Sequence, residues 1–195
     1  MLLIFDLDGT LFQAKQVVLL AVQRLFGELG IQCPDDYAIL KNAGRGAYEM
    51  LFSVLPESIA LDYVMPLYVK HMRSAIEQVG ELFPGVRDVL EQLHAEGHTL
   101  TLCSKSPDIY IEAVLAQTGI TELFAKCCSS EAHPSKASAI CELLGQGDGS
   151  TVPKTESAAG TAEPSPRLTT AVVIGDTHGD IKAAHENGLP AIAAT

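Results

Sequence analysis

The stretch Leu2-Leu3-Ile4-Phe5-Asp6-Leu7-Asp8-Gly9-Thr10 limits what this chain can fold into more than any other. An apolar run this short, stopped by an acid and a glycine, reads as a strand buried on both faces of a parallel sheet. Side chains two apart on a strand share a side, so Asp6 and Asp8 are expected together at the strand's carboxyl end. Gly9 then allows a sharp turn where a ligand can approach. Carboxylates this close repel one another unless a cation intervenes, and an oxygen-seeking dication such as Mg²⁺ is the usual solution. On its own, the Asp6-x-Asp8 spacing reads more readily as a strand ending in an acidic surface turn.

The pattern changes after Phe12. Val17, Val18, Ala21, Val22, Leu25 and Leu29 fall on one helical face, and Gly30 stands where a helix would be capped. Further helices are expected over residues 35–40, 47–55 and 58–79, with Pro66 a boundary or kink. No strand pattern interrupts residues 13–82, which read as a separate helical unit inserted into a core of residues 1–12 and 83–195. From residue 83 onward helices alternate with strands at residues 98–103, near 125–129, 171–174 and 191–193. The expected fold class is α/β: an open parallel sheet of Rossmann-like type with helices on both faces. Residues 145–170 are rich in Gly, Ser, Thr, Pro, Glu and Ala and read as a flexible insertion within the core. The chain stops just past the fifth strand, so one sheet edge is expected to be short.

Charge and composition narrow the function. With 195 residues, 47% hydrophobic and 19% charged, the chain can build a sizeable core. A net charge of −11 argues against nucleic-acid partners, whose binding depends on neutralising phosphates with Lys and Arg. No stretch is long and apolar enough to span a membrane, and no export signal is visible, so a cytoplasmic protein is expected. The five cysteines form no C-x-x-C pair and read as reduced thiols.

Asp6-Leu7-Asp8-Gly9-Thr10 behind an apolar strand resembles the first motif of the haloacid dehalogenase-like (HAD) hydrolases. Three later segments agree with it in order. Ser104, ending the second strand, matches the family's second motif, with Lys105 where many phosphoglycolate-phosphatase-like members carry Asn. Lys136, opening an amphipathic helix, matches the third and is preferred to Lys126. Gly175-Asp176-Thr177-His178-Gly179-Asp180 matches the fourth, with His178 read as a solvent-facing loop residue.

The resemblance implies a Mg²⁺-dependent phosphatase acting on a small phosphorylated metabolite through an aspartyl-phosphate. Asp6 would be the nucleophile and Asp8 the general acid/base. Ser104 and Lys136 would hold phosphate oxygens. The metal ligands would be Asp6, the backbone carbonyl of Asp8, and Asp176, with Asp180 capping or orienting its loop. Gly9, Thr10 and Lys105 would lie against the substrate. Residues 13–82 would form a helical cap whose loop at Lys41 and Arg45 meets the substrate's far end. A phosphomutase of the same fold and a non-catalytic phospho-ligand-binding member are the alternatives, with a dehalogenase further behind. Nothing in the sequence fixes the oligomeric state.

Overall fold

The computed structural model describes residues 1–129, 133–145 and 170–194. The insertion expected over residues 145–170 therefore lies, except for its end residues, outside the described residues. Five strands form one parallel sheet: β1 (Leu2–Phe5), β2 (Thr99–Cys103), β3 (Phe124–Cys128), β4 (Ala171–Gly175) and β5 (Ala191–Ala193). Their order is β3-β2-β1-β4-β5, so the chain reverses its direction of travel across the sheet between β3 and β4. The crevice at such a reversal, beyond the ends of β1 and β4, is where open α/β sheets bind ligands.

The period of two in β1 explains why the strand is apolar throughout. Leu3 and Phe5 face one buried cluster, shared with Leu90, Ile111, Val114 and Leu115. These come from helices α5 (Val86–Ala95) and α6 (Asp108–Thr118). Leu2 and Ile4 face the other cluster, with Ala139, Ile140, Ala183 and Ala184. Those belong to α7 (Lys136–Leu143) and α8 (His178–Glu186). Helices thus cover both faces, as a parallel sheet requires.

Four helices are inserted between β1 and α5: α1 (Ala14–Leu29), α2 (Asp36–Ala43), α3 (Ala47–Val54) and α4 (Leu61–Val79). α1 packs along α4, α2 against α3, and α4 reaches α6 of the sheet layer. Gly30 caps α1 in the left-handed conformation, and the Asp35 carboxylate accepts from the Ala38 N–H at the start of α2. The chain enters and leaves this helical unit side by side. Gln13 N–H donates to the Glu81 carbonyl at 2.9 Å, and Phe83 N–H donates to the Leu11 carbonyl at 3.0 Å.

Two local expectations are revised. α4 continues through Pro66 from Leu61 to Val79, because a proline in the second turn removes only one intrahelical bond near the helix start. α8 starts at His178, the residue the sequence suggests for a loop. Thr177 and Asp180 form a reciprocal capping box that draws the first turn of the supposed loop into the helix. Cys33, Cys103, Cys127 and Cys128 are free thiols. Among the described residues no helix is long and apolar enough to cross a membrane.

Candidate active site

β1 ends at Phe5, and the chain tightens at once: the N–H groups of Leu11 and Phe12 both donate to the Leu7 carbonyl at 2.9 Å. This turn decides where the acids go. Asp6 keeps the parity of Leu2 and Ile4 and meets groups from α7 and α8. Lys136 Nζ donates to Asp6 Oδ1 at 2.5 Å and also to Asp180 Oδ1. Asp8 is beyond the strand, so the alternation no longer applies, and its carboxylate turns toward α6. It accepts from Tyr110 Oη at 2.7 Å and from Ser106 Oγ at 2.8 Å. The two acids line one cavity, as expected, but their partners come from opposite faces of the sheet.

Gly9 has φ +89°, and a Cβ there would run into the Asp176 carboxylate. Glycine is therefore required both by conformation and by close approach. Thr10 Oγ1 donates to Asp176 Oδ1 at 3.2 Å, tying the first motif to the loop after β4. Gly175 has a similar role, since a Cβ on it would meet the Asp180 side chain. Asp180 is 1% exposed and fully engaged. Besides Lys136, it accepts from the Thr177 N–H at 2.9 Å and from Thr177 Oγ1 at 2.7 Å. Ser104 is buried at the end of β2, with its Oγ accepting from the Ser106 N–H at 3.1 Å. Lys105 is exposed and lines the cavity.

Electrostatics separate the acids. Burial pushes Asp6 up to about 6, although Lys136 pulls the other way. Burial also raises Asp8, against the hydrogen bonds from Tyr110 and Ser106. Burial would raise Asp180 too, but Lys136 and Thr177 outweigh it and hold this carboxyl below its usual range. Lys136 is held above the usual ammonium range; burial opposes its charge, yet Asp6 and Asp180 win. Burial, then the Asp8 charge, pushes Tyr110 well above the usual phenol range.

The rise at Asp6 from 3.8 to about 6 makes a stability prediction for metal-free protein. A carboxyl whose folded pKa lies above its unfolded value favours the fold at low pH and loses that contribution as pH rises through the folded pKa. Metal-free protein is expected to lose roughly 2 kcal/mol from this group between pH 4 and pH 7. Melting curves across that range should show the loss in the wild type and little of it in Asp6→Asn. A parallel pH dependence in both proteins would contradict this.

The donor set suits a hard cation. Carboxylate oxygens of Asp6, Asp176 and Asp180 lie within 4.8 Å of one another. Asp180 is already held by Lys136 and Thr177, so within this cluster a cation would fall to Asp6 and the exposed Asp176. The close approach that Gly9 permits brings the loop of Asp8 against Asp176. Oxygen donors alone in this arrangement fit Mg²⁺. A second cluster, Cys128, His133 and Glu142, comes from β3, the segment just before α7, and α7 itself; there Glu142 is paired with Lys126 and His133.

Of the residues expected from sequence, Asp6, Asp8, Gly9, Ser104, Lys105, Lys136, Asp176 and Asp180 line one cavity, and Thr10 is bonded to Asp176 behind it. Arg45 and Lys41 are exposed and contribute no side chain to that wall, although Gly44 and Gly46 do. His178 is exposed, as expected, but opens α8. Sequence reasoning missed Tyr110, Ser106 and Thr177. Only Thr177 carried a local signal, the Thr-x-x-Asp capping spacing.

A sequence profile described as haloacid dehalogenase-like hydrolase matches residues 3–185. The chain belongs to that family of hydrolases. It is similar to the phosphoglycolate phosphatase of Aliivibrio fischeri, at 26% identity over all of this chain and 83% of that protein. It is likewise 26% identical to the phosphoglycolate phosphatase of Vibrio parahaemolyticus over 69% of this chain, a match that spans only 63% of that relative. Among solved structures, a haloacid dehalogenase-like family hydrolase from Streptococcus pneumoniae superposes with a TM-score of 0.76 at 24% identity, covering all of this chain and 84% of that one.

Proposed function

We propose that this chain is a Mg²⁺-dependent phosphatase that hydrolyses a small phosphomonoester through an aspartyl-phosphate on Asp6. One observation carries the reading. Asp6 opens into a cavity with the Lys136 ammonium on one side and, on the other, an Asp8 carboxyl that burial keeps ready to hold a proton. A nucleophile and an acid with pKa values set by different surroundings are what two-step phosphoryl transfer needs. The family membership and the phosphoglycolate phosphatases similar to this chain support it.

In the proposed sequence, an Asp6 carboxylate oxygen attacks phosphorus in line as the bond from phosphorus to the alcohol oxygen breaks. Asp8 gives its proton to that leaving oxygen. The resulting Asp8 carboxylate then takes a proton from water, whose oxygen attacks phosphorus. The Asp6–phosphorus bond breaks, releasing orthophosphate. Lys136 and the Ser104 hydroxyl hold the non-reacting oxygens, and Tyr110 and Ser106 keep the Asp8 carboxyl aimed at the cavity. Asp6, Asp176 and the Asp8 carbonyl would hold Mg²⁺, which would supply positive charge to offset and orient the phosphate. Residues 13–82 act as a cap on the core of residues 1–12 and 83–195, hinged at the paired segments around Phe12 and Leu82.

The test is phosphate release from a panel of phosphomonoesters. Turnover is expected with Mg²⁺ and should fall to background after chelation. Equal turnover with and without Mg²⁺, or none on any ester, would contradict the reading.

A further inference from the structure

The cavity that ends on Asp6 and Asp8 encloses about 600 Å³. That is the size of pocket that surrounds a drug-sized ligand, far more than a two-carbon phosphoester fills. Above the acidic floor its walls are apolar: Met50 from α3, Met65, Val69 and Met72 from α4, Val18 from α1, and Ile109 from α6. Methionine fills irregular space and adapts to apolar partners of varied shape. Polar groups are segregated. Asp6, Asp8, Ser104, Lys136 and Asp176 form the floor, while the exposed Lys15 and Arg73 stand among the lining residues of α1 and α4. The buried Tyr68 ring also faces this space. The cations at Lys41 and Arg45, which would have met a second anionic group on the substrate, are outside it.

From this arrangement we infer that the substrate's alcohol is bulky and apolar: the chain hydrolyses the phosphomonoester of an alkyl or aryl alcohol, with the hydrocarbon lodged among Met50, Met65 and Met72. The inference rests on the phosphatase reading and adds the class of leaving group. The phosphate sits on the acidic floor with its cations, and the carbon skeleton rises into the apolar space between the inserted helices and α6. A small, doubly anionic ester would leave the Met50, Met65, Val69 and Met72 walls in contact with water.

The experiment is a homologous series. Ethyl, butyl, hexyl and octyl phosphate and 2-phosphoglycolate are compared by kcat/KM in Mg²⁺, and the matching alkyl phosphonates are titrated by calorimetry. Each methylene that leaves water for the cavity should raise kcat/KM roughly fourfold, and the octyl ester should exceed the ethyl ester about a hundredfold or more. Phosphonate affinity should rise in parallel, and Met65→Gln should lower the octyl-to-ethyl ratio at least about threefold. Preference for 2-phosphoglycolate with no dependence on chain length would overturn the inference and leave the phosphatase reading intact. Absence of hydrolysis with phosphonate affinity still rising along the series would sink the phosphatase reading and uphold the apolar site. Rates and affinities both flat with chain length, or an octyl-to-ethyl ratio unmoved by Met65→Gln, would overturn the inference.

Discussion

Asp6→Asn is expected to lower turnover by about four to six orders of magnitude, the scale seen when a nucleophile is removed from a group of residues that works as a unit. The amide keeps the shape and can still face Lys136, so the fold survives. What disappears is the oxygen anion that attacks phosphorus. The same substitution should stabilise the metal-free protein at neutral pH, because burial already disfavours the Asp6 charge and holds its carboxyl near 6. A variant more stable and nearly dead is the combined expectation, to be checked by melting curves and by steady-state rates on one ester. A variant that turns over within tenfold of wild type would remove Asp6 from the chemistry.

Lys136→Met should be the most destabilising single change at the site. Its ammonium bonds both Asp6 and Asp180, and both acids are buried, at 7% and 1% exposure. Removing the shared cation leaves two like charges facing each other away from water, a loss of about 3–5 kcal/mol for a broken buried pair. In a chain of this length that corresponds to a fall in Tm of roughly 10 °C. Adding Asp180→Asn should recover part of the stability and none of the activity, since the phosphate would still lack its cation. Lowering the pH should also narrow the gap between Lys136→Met and wild type, because Asp6 takes up a proton near pH 6. Equal melting temperatures for Lys136→Met and wild type at neutral pH would show that Asp6 and Asp180 do not depend on this cation.

Much of the sheet and the floor of the site could be read from the chain because both depend on local pattern. Leu2–Phe5 is apolar without alternation because α5–α6 and α7–α8 cover its two sides. A strand of that kind must end at a polar crevice, and Asp6 follows it immediately. Gly175-Asp176 repeats the device one strand over: the pairing of Phe5 with Ile174 sets Asp6 beside Gly175, and the Asp176 carboxylate, one residue on, comes within 4.8 Å of that of Asp6. Lys136 was placed by family resemblance, and the structure brings it to Asp6 through the N-terminus of α7.

What the sequence did not reveal depends on where the chain goes after regular structure ends. The same-side rule held only as far as Asp6, so it could not show Asp8 turning to Tyr110 and Ser106 across the sheet. Tyr110 looked like one more apolar residue of α6, and its hydroxyl acquires meaning only because Asp8 stands 2.7 Å away. Arg45 was chosen for its flanking glycines. Those glycines do line the cavity, but the backbone that brings them in carries the Arg45 side chain outside. The apolar lining from Met50, Met65 and Met72 was invisible for a related reason: methionine at helical spacing is the ordinary mark of a packed interior.

The central claim, covalent phosphoryl transfer through Asp6, is tested most directly by acid-quenching the enzyme during turnover and mapping phosphate by peptide mass spectrometry. Asp8→Asn should be run beside wild type on 4-nitrophenyl phosphate, whose leaving group departs without a proton, so that losing Asp8 slows mainly the second step and the intermediate accumulates. An added phosphate is expected on the peptide containing Asp6, more abundant in Asp8→Asn and absent from Asp6→Asn. Steady phosphate release with Asp6 unmodified in every sample, or phosphate found on another residue, would contradict it.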